Sequence, residues 1–168
     1  MITVKVKKLH EDAVIPKKAY TDDSGFDLHA LEDIVIEPGK TIKIRTGLAF
    51  ELPVGYEMQI RPRSGISIKT KLRVNLGTVD NQYRGEVNIV VDNVESYFGL
   101  GSGYYRTLDG LSSQTHGGDD IFEGAYIICK GERIAQAVIQ KIPHIVLYEV
   151  DKLSDSRRGD NGFGSSGV

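Results

Sequence analysis

Tryptophan is absent from this chain of 168 residues, and there are only one cysteine, two methionines and five prolines. A single thiol, Cys129, excludes an internal disulfide framework. Its place at the end of the apolar run Ala125 to Cys129 predicts a buried structural thiol in a reducing cytoplasm. No apolar run approaches the roughly 20 residues of a membrane-spanning helix. The chain opens on lysine-rich alternation rather than the apolar stretch of a secretion signal, so no membrane association is expected. Charge of one sign is lacking as well. With 21 Lys and Arg against 23 Asp and Glu, the net charge is −2, which excludes the broad basic field that holds duplex nucleic acid or an anionic membrane. Any anion site must therefore be local.

What the chain does have is period-2 alternation. Val4 and Val6 alternate with Lys5 and Lys7, and Ile42, Ile44, Thr46, Leu48 and Phe50 alternate with Lys43, Arg45 and Gly47. Further strands are predicted at Ile34 to Ile36, Tyr56 to Ile60, Glu86 to Val91, Ala125 to Cys129, Ile134 to Ile139 and Ile145 to Val150. Turn signals such as Glu37-Pro-Gly-Lys40 and Pro53-Val-Gly55 separate them. Helix signals are sparse, the best being a turn or two over Ser64 to Lys71. The pattern predicts one all-β domain of jelly-roll-like barrel type spanning residues 1–156, with a glycine-rich tail at 157–168. Between about 95 and 123 the alternation gives way to glycines and serines that carry five of the thirteen Phe and Tyr residues. A flexible linker is poor in aromatics, so this segment reads as an insertion that packs on the surface or meets a partner.

Five blocks carry residue types suited to phosphate and base chemistry. Asp23-Ser-Gly-Phe-Asp-Leu28 sets two carboxylates around a glycine, as an ordinary turn or as a site where Asp27 orders the water shell of Mg²⁺. Pro62-Arg-Ser-Gly-Ile-Ser67 puts arginine, hydroxyl and glycine in succession where a helical turn would leave N–H groups free; a capped surface turn is the alternative. Gly77-Thr-Val-Asp-Asn-Gln-Tyr-Arg-Gly85 reads as a hairpin tip that pairs an acid, Asp80, with an aromatic, Tyr83. Gly131-Glu-Arg-Ile-Ala-Gln136 lies between two predicted strands. The ending Arg158-Gly-Asp-Asn-Gly-Phe-Gly-Ser-Ser-Gly-Val168 combines an arginine fork, hydroxyls and glycines that let backbone N–H groups face an anion, with Phe163 available to cover a flat base. A frayed terminus is the plain alternative.

In this order and spacing the five blocks resemble the signature motifs of the homotrimeric deoxyuridine triphosphatase (dUTPase) family, over nearly the whole chain outside the insertion. The resemblance implies a dUTPase-like β-clip, a homotrimer with active sites at subunit interfaces, and Mg²⁺-assisted hydrolysis of dUTP to dUMP and pyrophosphate. It implies that Asn75, Gly77 and Tyr83 form the base and sugar pocket, that Asp80 activates the attacking water, and that Arg63, Ser64, Gly65 and Gln136 meet the phosphates. Asp27 would hold the metal through water. Arg158, Phe163, Gly164, Ser165 and Ser166 would close the site, the tail crossing from a further subunit. Arg133 fits the family pattern too, with a structural role equally open. The rival enzyme of similar fold is dCTP deaminase. Insertions between the third and fourth motifs also occur in dUTPases of phages of Gram-positive bacteria, some of which engage repressor proteins, so a regulatory partner at residues 95–123 stands beside the plainer reading of a rim-shielding loop.

Overall fold

The computed structural model describes residues 2–96, 99, 103–110, 112–114 (backbone only) and 122–161. Among these the architecture is mostly β. The strands are β1 (Lys5–Lys8), β2 (Phe26–His29), β3 (Ile34–Ile36), β4 (Thr41–Arg45), β5 (Leu48–Glu51) and β6 (Tyr56–Pro62); then, after the single helix α1 (Ser64–Lys69), β7 (Leu72–Val74), β8 (Gly77–Val79), β9 (Asn88–Asn93), β10 (Tyr104–Arg106), β11 (Ser112–Gln114), β12 (Tyr126–Ile128) and β13 (Arg133–Lys141). They assemble into four small sheets, ordered β1-β5, β11-β10-β12-β3, β2-β13-β6-β8 and β4-β9-β7. Alternation is what makes this possible, since each strand offers one face to a shared interior. Leu28, Ile36, Ile44, Met58, Leu72, Ile89, Ile128 and Ile134 are fully buried and belong to one continuous core cluster. No helix among the described residues is long and apolar enough to cross a membrane.

Several expectations change in the folded chain. The alternation from Ile42 to Phe50 is not one strand: it breaks at Thr46-Gly47, and β4 and β5 enter different sheets. Gly47 makes the break with a φ of +67°, its N–H donating to Glu86 Oε1 at 2.8 Å while the Thr46 hydroxyl donates to the Val87 carbonyl at 2.5 Å. The block from Gly77 to Gly85 is not a simple hairpin either. β8 pairs with β6, whereas β9 pairs with β4 and β7, so the turn between β8 and β9 passes from one sheet to another. Ile145 to Val150 forms no strand, because no described segment pairs with it; Ile145, Val146, Leu147 and Tyr148 are exposed, Leu147 by 90%. Cys129 is exposed rather than buried, since Ile128 takes the inward position and its neighbour points out. Partial desolvation and the nearby carboxylates of Glu132 and Asp33 push its thiol above the ordinary value.

The insertion has structure of its own. β10 and β11 pair antiparallel and extend the sheet of β12 and β3. It also reaches inward, because Leu108 is only 8% exposed and joins the core cluster.

Gly47 offers a test of the strand break. A Cβ there would stand 2.9 Å from Ala13 Cβ and 3.1 Å from Leu31 Cδ1, in a left-handed conformation as well. Gly47→Ala is expected to cost about 1–3 kcal/mol, read as a melting midpoint lowered by several degrees. An unchanged midpoint would show that the β4–β5 corner relaxes freely.

Candidate active site

Three of the five blocks converge at one end of the sheet β2-β13-β6-β8. Asp27 on β2 stands opposite Gln136 on β13, which stands opposite Arg61 on β6, and Arg63 follows β6 into the start of α1. A cavity of about 280 Å³ opens there, lined by residues that include Ser24, Asp27, Arg63, Ser64, Arg133 and Gln136. Two backbone bonds tie Ala30, just past the first block, to the fourth: Ala30 N–H to the Glu132 carbonyl at 2.9 Å and Gly131 N–H to the Ala30 carbonyl at 2.8 Å. A β-bulge between Arg133 and Ala135 sets Arg133 opposite His29, on the face that carries Asp27. Gly25 is required by a close approach, because a Cβ there would lie 2.5 Å from Gln136 Oε1 and 3.1 Å from Gln136 Cβ. The Gln136 amide in turn donates to the Pro62 carbonyl at 2.9 Å.

The two carboxylates of the first block have different work. Asp23 Oδ2 accepts from the Tyr20 N–H at 2.8 Å and serves its own turn. Asp27 lies between two guanidinium groups, Arg63 Nε at 2.8 Å on Oδ1 and Arg133 Nη1 at 3.2 Å on Oδ2, and Arg63 Nη1 also donates to the Arg133 carbonyl at 3.1 Å. The carboxylate is half-buried, which makes these charge-assisted bonds stronger than exposed ones. His29 sits beside them with its Nδ1 buried and unpartnered. Burial pushes its imidazole below the ordinary value, Asp27 pushes it back up, and Arg133 and Arg63 lower it further. Arg63 is also the N-cap of α1 and makes no side-chain cap bond to the first N–H groups of the helix. This end of the sheet presents donors and positive charge to an anion.

The third block forms a separate cavity of about 270 Å³ lined by Thr78, Val79, Asp80, Tyr83, Glu86, Val87 and Asn88. Residues 80–83 make a tight turn, with the Tyr83 N–H donating to the Asp80 carbonyl at 3.1 Å. The Tyr83 hydroxyl donates to the Glu86 carbonyl at 3.0 Å, and the ring lies over Gly85, where any Cβ would fall on the phenol. Tyr83 is thus pinned at its far edge and remains 47% exposed. Glu86 anchors the base of the turn, accepting from Gly47 N–H and from Arg45 Nε at 3.2 Å. Asp80 is exposed.

Asn75 and Gly77 flank this cavity without lining it. The Asn75 N–H is engaged by the Val90 carbonyl at 2.9 Å, and Gly77 pairs with Ile60. His29 and Glu86 had no signal as site residues in the local sequence, since each owes its place to cross-strand register; Gly25 stood out as the glycine of the first block, but its contact with Gln136 did not. Arg158 is exposed and its Nε donates to the Asn161 carbonyl at 2.9 Å. Phe163, Gly164, Ser165 and Ser166 lie outside the described residues.

The two cavities stand far apart in one chain. Val79 pairs with Met58, five residues before Arg63, and β8 runs antiparallel to β6, so Asp80 continues away from Arg63. At about 3.3 Å per residue, Asp80 and Arg63 are separated by on the order of 20 Å. No described group of three or more His, Cys, Asp or Glu residues could cage a metal. Asp27 alone suits an ion that keeps its waters and takes further oxygens from a ligand, as Mg²⁺ does.

Comparison with known proteins agrees with the motif order. The family model for dUTPase matches residues 11–99 and 122–167, leaving 100–121 within the insertion unmatched. Deoxyuridine 5'-triphosphate nucleotidohydrolases of Nautilia profundicola (41% identity over 166 residues, 98% of each chain) and Clostridioides difficile (40% over 169 residues, 99% of each chain) are full-length relatives. Among solved structures, the dUTPase of Staphylococcus bacteriophage 80alpha with dUpNHpp superimposes with a TM-score of 0.94 at 36% identity, covering 99% of each chain. The dUTPase of S. aureus phage phi11, described for its species-specific insert, gives a TM-score of 0.86 at 29% identity over 92% of this chain and 99% of that one. With its fold, the arrangement of its motifs and the extent of these matches, the chain belongs to the dUTPase family.

Proposed function

We propose that this chain hydrolyses dUTP to dUMP and pyrophosphate as a homotrimer whose active sites are shared between subunits. The observation that carries the reading is the split site. Anion-binding groups and the water-activating carboxylate lie at opposite ends of one sheet, on the order of 20 Å apart, and a second copy is needed to bring them together. The exposed apolar segment from Ile145 to Tyr148, paired with no described segment, supports an assembled state as well.

In the assembled site Tyr83 from one subunit lies under the deoxyribose and leaves no room for a 2′-hydroxyl, with Asn75 and Gly77 contributing backbone to the uracil pocket. Asp80 orients a water and takes its proton as the water attacks the α-phosphorus. Negative charge then gathers on the phosphoryl oxygens and the departing pyrophosphate. Arg63, Ser64, Gly65 and Gln136 from a neighbouring subunit meet that charge with donors already held in place, which is where such groups are most effective. Bound Mg²⁺ would neutralise phosphate charge, and Asp27 would hold it through its water shell. Asp27 exchanges part of its pairing with Arg63 and Arg133 for that role, while the arginines turn to the phosphates. Arg158, Phe163, Gly164, Ser165 and Ser166 from the tail close over the nucleotide and keep out bulk water.

The 80alpha enzyme is described as one of the phage dUTPases that control transfer of virulence genes by a proto-oncogenic G protein-like mechanism. A second role in this chain, contact with a repressor protein through the insertion, is favoured by the exposed Tyr104 on β10. Hydrolysis is the primary reading.

Asp80→Asn is expected to lower kcat by about 10²-fold or more, and Arg63→Gln to be similarly impaired. Co-expressed at equal amounts, the two variants should regain about a quarter of wild-type activity, because in randomly mixed trimers that fraction of interfaces pairs an intact Asp80 with an intact Arg63. No recovery in verified mixed trimers would place both residues in a single-subunit site.

Tyr83→Ala is expected to raise kcat/KM for UTP relative to dUTP; an unchanged ratio would remove the ring from sugar selection. Incubation with dCTP should release no ammonia, whereas steady ammonia release would favour the deaminase.

A further inference from the structure

The helix that follows Arg63 is poorly equipped to hold itself. α1 has six residues, includes Gly65 and the β-branched Ile66 and Ile68, lacks a side-chain N-cap bond, and buries only Ile66. Its geometry must come from what packs against it.

The insertion supplies one such support. A cleft of about 380 Å³ next to the Asp27 cluster is bounded on one side by Arg63, Gly65, Ile66 and Lys69 and on another by Leu108 and Asp109. Leu108 sits at a turn in which the Gly110 N–H donates to the Thr107 carbonyl at 3.1 Å, with Gly110 at a φ of +88°. The strand before it is tied down firmly. Arg106 N–H donates to the Ala125 carbonyl at 2.8 Å, its guanidinium pairs with Glu95 at 2.5 Å, and it lies 5.9 Å from the centre of the Tyr126 ring. The Tyr126 hydroxyl then accepts the Lys71 N–H at 3.0 Å, just past the end of α1. Hydrogen bonds and a ring contact thus tie the insertion to the residue just past the helix, while Leu108 shares the core cluster with Ile66 of α1 and forms the facing wall of the cleft.

We propose that the insertion is a positioning element for catalysis: Leu108 buttresses α1 and so keeps Arg63 and Ser64 aligned for the phosphates. This rests on the assignment of Arg63 and Ser64 to the phosphate side of the site. Leu108 falls in residues 100–121, outside the match to the family model, so the buttress comes from a segment the shared family pattern does not contain. The insertion is therefore not separable from hydrolysis, although none of the five motifs lies within it.

Steady-state kinetics with dUTP and Mg²⁺ on five full-length variants tests this. Leu108→Ala is expected to lower kcat about tenfold with a smaller change in KM, since misplaced donors weaken the transition state more than the ground state. Leu108→Met, which refills the volume, should restore kcat to within about twofold of wild type. Ile44→Val trims the core away from this cleft, so its kcat should stay within about twofold while its melting midpoint falls. If Leu108→Ala does not fold, Leu108→Val carries the same comparison with a loss of a few-fold. Wild-type kcat in the folded Leu108 truncations, or an equal loss in Ile44→Val, would overturn the buttress. Arg63→Gln with undiminished kcat would instead overturn the phosphate assignment beneath it.

Discussion

The antiparallel register of β6 with β8 and β13 governs most of what this molecule can do. β13 aligns Gln136 and Asp27 with the end of β6 that leads to Arg63, while β8 sends Asp80 toward the other end. A strand is stiff and its rise per residue is nearly constant, so no side-chain rotation closes that gap. The sheet gives each half-site a rigid base and keeps the halves of one subunit apart. In the proposed trimer, pairing the halves across subunits would make catalysis dependent on assembly, with an isolated protomer lacking a complete site.

Within the anion-binding half, the contact between Asp27 and the two arginines sets the local balance of charge. A half-buried carboxylate flanked by Arg63 and Arg133 keeps both guanidinium groups oriented when no phosphate is present. Two arginines facing each other without it would repel and spread. The same carboxylate is suited to the water shell of a hard cation. In the proposed site one side chain would thus serve both the resting geometry and the loaded one. The tight fit of Gly25 against Gln136 holds the first block close to β13 beside the cavity.

The insertion shows how an addition can become part of a machine. Its strands extend an existing sheet edge, and among the described residues Leu108 turns inward to join the core. Exposed Tyr104 and buried Leu108 lie four residues apart. A surface that meets a partner and a support for the phosphate loop can thus occupy one short segment.

The sequence by itself determined the β class, most strand positions, the order of the five blocks and the chemistry each could offer, because alternation, turn residues and charged groups are local properties. β3 falls where Ile34 to Ile36 predicts it, and Asp27, Arg63, Ser64, Gly65 and Gln136 do meet. Only the tertiary structure decided where continuous alternation breaks at Gly47, which sheet β8 joins, and that Ile145 to Val150 has no strand partner among the described segments. The same holds for the exposure of Cys129, the places of Gly25, His29 and Glu86, and the inward turn of Leu108. Each of these depends on which strand lies alongside, and a pairing between distant segments leaves no period or spacing in either one.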